Sequence, residues 1–111
     1  MPVDPFSATA WNNGAYHASG AGYGLKIALS DRDLHFKRDW RSVFVHLPAP
    51  FGVATVNIAK ASFWEGTCRE LICRDIGLWL IGTGNGRWPK HHPPEFRLQP
   101  RAPGVFEVLP P

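Results

Sequence analysis

The chain has 111 residues, with twelve Lys and Arg, nine Asp and Glu, and a formal charge of +3 at pH 7. At 44% hydrophobic and 19% charged residues, composition excludes a disordered chain, which needs low hydrophobicity with high net charge. No apolar run approaches the roughly 18 residues of a membrane span. The Met1–Pro5 start has neither a basic nor an apolar leader region, so no signal peptide is expected.

This length suits one domain over residues 1–111, with residues 1–14 as an irregular lead-in closed by the Asn12-Asn13-Gly14 turn signal. A short strand is expected around Tyr16, then a glycine-rich turn from Ser19 to Gly24. Leu25, Ile27 and Leu29 alternate with Lys26 and Ala28, which predicts a half-buried strand. Ser30 to Asp33 breaks it, and Leu34 to Phe36 returns as the second arm of a hairpin. A helix over Asp31–Arg41 with Ser30 as its cap is the competing reading. The hairpin is preferred because Leu34, Phe36 and Trp40 fit no helical stripe.

Ser42–Leu47 alternates again, with Val43, Val45 and Leu47 on one face and Phe44 and His46 on the other. Val53–Ile58 is β-branched, and across the Pro48–Gly52 turn the two segments predict an antiparallel hairpin. Ser62 and Glu65 form a capping-box pattern. Trp64, Cys68, Leu71, Ile72, Ile76, Trp79 and Leu80 then follow at helical spacing, which predicts one main helix over about residues 63–81 with Gly82 as its left-handed cap. Gly77 is its weak point, and a strand over Leu78–Ile81 is the alternative. Phe96 and Leu98 alternate with Arg97 and Gln99, and Val105–Leu109 returns after the Ala102-Pro103-Gly104 turn. The fold class is therefore α+β: an antiparallel sheet of about five or six strands with that helix on one face. Phe44, Phe106 and Val108 read as an apolar set on the other face, which predicts a homodimer.

Both cysteines read as reduced structural thiols, placing the chain in the cytoplasm. On the expected helix Cys68 and Cys73 are too far apart in angle to pair or share a metal. No cofactor and no metal site is expected. Both glycine-rich segments, Gly20–Gly24 and Gly82–Gly86, lack the following capped helix of a phosphate loop and read as turns. Two stretches concentrate chemistry. Asp31–Arg41 holds four cations, three carboxylates and His35; on a strand Asp31, Asp33 and His35 share a face, as acid–base work requires. Arg87–Arg101 holds Arg87, Lys90, Arg97 and Arg101 against Glu95 alone, with Trp88, His91, His92 and Phe96 interleaved. Cations for phosphate beside aromatics for stacking are the ingredients of a single-strand nucleic-acid surface. The first functional expectation is a non-enzymatic binding module for single-stranded nucleic acid or a protein, with Arg87, Trp88, Lys90, Arg97 and Arg101 as ligand contacts. The second is a small hydrolase acting on nucleic acid, its acid and base drawn from Asp33, His35, His91 and His92. It requires the 31–41 and 87–94 segments to share one cleft.

Overall fold

The computed structural model describes residues 3–14, 16–65 and 69–110. Along them run β1 (Phe6–Asn12), β2 (Tyr23–Ile27), α1 (Leu29–His35), β3 (Ser42–His46), β4 (Val53–Asn57), α2 (Ala61–Trp64), β5 (Glu70–Ile72), α3 (Arg74–Gly82), β6 (Glu95–Ala102) and β7 (Val105–Val108). The class is α+β, and the strands make one seven-stranded sheet in the order β4-β3-β7-β6-β1-β2-β5. Its end strands β4 and β5 approach each other, so the sheet curls until it is nearly closed. The curl decides the core. Instead of lying under one long helix, the sheet buries its own inner face, where Phe6, Leu25, Val43, Val45, Leu98 and Phe106 are all buried. Phe36, just after α1, stacks on Phe106 with ring centroids 4.8 Å apart, and α3 turns Ile76, Trp79 and Leu80 inward. Among the described residues no helix is long and apolar enough to cross a membrane.

The β3–β4 and β6–β7 hairpins match the alternation that predicts them, with Val43, Val45 and Leu47 buried and Phe44 exposed. Elsewhere the expectations need correction. Residues 6–12 of the supposed lead-in form β1, which pairs with β2 on one side and β6 on the other. Its inward residues are Phe6, Ala8 and Ala10, and alanine carries little strand preference, so the alternation is faint in sequence. Tyr16 belongs to a loop and to no strand. The sheet is mixed, because β3 and β7 run parallel. Phe106 and Val108 belong to the core, so Phe44 alone of the supposed outer apolar set is exposed.

The expected 25–29/34–36 hairpin is a strand, β2, followed by a helix, α1. Ser30 lies inside that helix and does not cap it; Ala28 holds the cap position. The apolar pattern misleads here because the inward residue of α1 is Arg32, while Leu34 is 75% exposed. The supposed 63–81 helix is broken into α2, β5 and α3. Glu70–Ile72 is needed as a strand against β2, where Leu71 faces Leu25 in register. The span also holds Gly66 and Thr67, both weak helix formers. The apolar stripe marks burial correctly at Leu71, Ile76, Trp79 and Leu80, across a change of conformation. Ser62 sits within α2 and Glu65 just after it, so no capping box forms. Leu78–Ile81 is helical, and the left-handed residue beyond α3 is Gly84, not Gly82. Cys73 is a partly buried free thiol just before α3, whereas Cys68 lies outside the described residues.

Candidate functional site

The segment after α3 is held by its own backbone. Thr83 N–H and Oγ1–H both donate to Trp79 O, at 3.0 and 2.8 Å, and Asn85 N–H donates to Leu80 O at 2.7 Å. Gly84 takes φ +80°, which reverses the chain. These N–H groups close the helix end and are not turned toward a phosphate, as the turn reading of this glycine run expects. Gly20 and Gly22, with φ of +84° and +79°, turn the chain in the other run. The buried Tyr23 hydroxyl then donates to Gly86 O at 2.7 Å. That bond ties the loop to β2 and sets the position of Arg87.

Arg87 reaches across to the 16–18 segment. Its guanidinium carbon lies 4.7 Å from the centre of the Tyr16 ring, a cation–π pair at an exposed site. Tyr16, His17, Tyr23, Ile81, Gly84 and Arg87 surround an open cleft of about 430 Å3. Burial pushes the Tyr23 hydroxyl above its ordinary range; neighbouring Tyr16 adds to this and Arg87 partly offsets it. Tyr23 therefore remains a proton donor to Gly86 at neutral pH. Its floor position and Tyr16 were both missed in sequence. The one signal available was a Tyr-His pair two residues ahead of a glycine run.

The other expected contacts scatter. Trp88 is partly buried against the core, so its ring is already committed to packing. Lys90, His91 and His92 lie in an exposed turn, closed by His92 N–H donating to Pro89 O at 2.9 Å, with His91 at φ +66°. Arg97 projects from β6 on the side away from the core, beside Ser7 of β1. Arg101 is bound by Glu107, its Nε donating at 2.8 Å. It lines a second, larger cavity of about 740 Å3 together with Asp4, Leu34, His35 and Phe106. Arg87 and Arg101 thus belong to different cavities. The basic stretch does not gather in one cavity.

The acid–base candidates are no closer together. Asp33 accepts from Arg32 Nε and Nη2 at 3.1 and 2.9 Å, and His35 stacks on Phe6 with ring centroids 4.6 Å apart. Two residues apart on a helix, their side chains diverge, so the shared strand face is lost. His35 lines the larger cavity, Arg87 lines the smaller, and His91 and His92 line neither. Among the described residues no group of three His, Cys, Asp or Glu side chains is placed to hold a metal ion. The buried charged member of the 31–41 segment has a structural partner instead. Arg32 Nη1 donates to Phe63 O at 2.9 Å and its guanidinium lies 5.4 Å from the Trp64 ring, which ties α1 to α2. Comparison with protein-family models, with curated proteins and with solved structures finds no match to this chain.

Proposed function

We propose that the chain is a non-enzymatic binding module that holds single-stranded nucleic acid by its phosphates, through Arg87, Lys90 and Arg97. The supporting observation is charge without counter-charge. Among the described residues no ion pair engages any of the three, whereas Arg101 is held by Glu107 and Arg32 by Asp33. Glu95, the one acid in the stretch, accepts a hydrogen bond from Ser7 at 3.2 Å. Exposed cations of this kind bind phosphate with the release of counterions. The hydrolase reading has no comparable support, because of its acid–base candidates only His35 lines either cavity.

Fluorescence anisotropy with labelled single-stranded DNA and RNA tests the reading. Binding should weaken with salt at about 0.7 log units per phosphate contact, a slope of roughly −2 for three contacts. The triple variant R87A/K90A/R97A should lose that dependence. No binding at low salt removes the reading, and shortened oligonucleotides after incubation replace the binder with a nuclease. The homodimer is a separate part of the proposal, resting on the outer side of β3 and β4, where Phe44 and Val53 are both exposed. Light scattering tests it: a two-chain mass that falls to one in F44K supports pairing, and a one-chain mass in the wild type removes it.

A further inference from the structure

We infer that the cleft between residues 16–18 and the end of α3 is a subsite for one nucleotide, its base packed on Tyr16 and its phosphate held by Arg87. The inference rests on the phosphate-binding reading above, because Arg87 serves both. Four features of the cleft carry it. Its volume of about 430 Å3 lies within the range of roughly 300–1,000 Å3 usual for small-molecule sites. Its lining offers one exposed aromatic ring: Tyr16 is 46% exposed, with the buried Tyr23 ring centre 6.5 Å from its own. Its charged and titratable lining is Arg87 and His17 beside the two tyrosines, with no carboxylate. Arg87 lies over one face of Tyr16 but donates a hydrogen bond to no acceptor among the described residues, so its N–H groups remain available to a phosphate.

The walls are also held in place. Gly20 and Gly77 pack so closely that a Cβ on Gly77 would stand 2.1 Å from Gly20 O, which pins the segment carrying Tyr16 and His17 against α3. The Tyr23–Gly86 hydrogen bond pins the opposite wall. The segments around the cleft are therefore already placed, and little ordering is left for binding to impose. The larger cavity lacks this combination, since it contains Asp4 and its Arg101 is occupied by Glu107.

Isothermal titration with adenosine 5′-monophosphate, adenosine and inorganic phosphate tests the subsite in the full chain. The monophosphate should bind about tenfold tighter than phosphate alone, the size of one stacked base. Y16A should reduce it to the level of phosphate, Y16F should retain it because the ring remains, and R87Q should reduce it to the level of adenosine. Two oligonucleotides of equal length, one normal and one abasic, separate a free nucleotide from a nucleotide within a strand. Preference for the normal strand that vanishes in Y16A extends the subsite to strands. Equal binding of monophosphate and phosphate, or a Y16A variant that binds the monophosphate like wild type, overturns the inference. If salt-dependent strand binding survives that result, the phosphate-binding reading stands without it. If no strand binds, that reading falls, and the monophosphate titration still decides the cleft.

Discussion

Replacing Gly77 by alanine separates two physical arguments that point in opposite directions. Gly77 lies inside α3, and on propensity alone alanine there should stabilise the helix by about 1 kcal/mol. The packing says otherwise. A Cβ at this position would meet Gly20 O at 2.1 Å and Gly20 Cα at 2.6 Å, where ordinary contact begins at 3.4 Å. Both atoms are backbone, so no side-chain rotation relieves the overlap, and loop and helix must move apart by about an ångström. Overpacking of this kind costs roughly 1–3 kcal/mol, and with rigid backbone on both sides the upper end applies. After the helix gain is subtracted, G77A should lose about 2 kcal/mol. At the roughly 2 kcal/mol/M urea dependence typical of small domains, its midpoint should fall by about 1 M with an unchanged slope. Gly84 provides the control. It has φ +80° and nothing within 4 Å of a Cβ, so G84A should cost only the left-handed backbone term of about 1 kcal/mol. A G77A protein as stable as wild type, or more stable, would refute the close approach of α3 and the 17–22 loop, and with it the fixed wall of the cleft.

Other perturbations have equally definite signs. R32A should lose about 2–3 kcal/mol in urea unfolding, because a buried charged donor to Phe63 O disappears, while D33N should cost under about 1 kcal/mol because the Asp33 side chain is 58% exposed. Y23F should lose about 1–2 kcal/mol with the buried bond to Gly86 and loosen the Arg87 loop, seen as faster amide exchange at residues 84–87. Since the folded pKa of Tyr23 is raised, the unfolded chain gives up that proton first. Stability from this group is therefore present below about pH 10 and lost as pH climbs through the folded value; Y23F should flatten the alkaline decline, and an unchanged decline would count against its burial. F106A should cost about 3–5 kcal/mol, since its ring meets both Phe6 and Phe36, whereas F44A should stay within about 1 kcal/mol by the same urea measurement.

Much of the molecule was legible in the chain wherever one face is buried and the period is clear. Val43, Val45 and Leu47, then Ala54, Val56 and Ile58, alternate strictly, and their hairpin follows from side-chain period alone. Leu71, Ile76, Trp79 and Leu80 were marked for burial by their spacing, because transfer from water depends on which residues are apolar and not on how the backbone runs between them. What conformation links them was a tertiary matter: β2 needed a partner at its outer edge, and Glu70–Ile72 became a strand where local periodicity suggested a helix. The same holds for β1, whose small inward alanines acquire strand geometry only from hydrogen bonding to β2 and β6 on both sides. The inward turn of Arg32 depends on acceptors at Asp33 and Phe63, and the second of these lies 31 residues away. The cleft is the furthest from the sequence. Tyr16, Tyr23 and Arg87 come from three separate segments, and only the nearly closed curl of the sheet, the tight Gly20–Gly77 contact and the Tyr23–Gly86 bond bring them to one place. Composition and spacing determined which residues are buried and where charge accumulates; the pairing of distant strands decided which of those charges stand beside an aromatic ring.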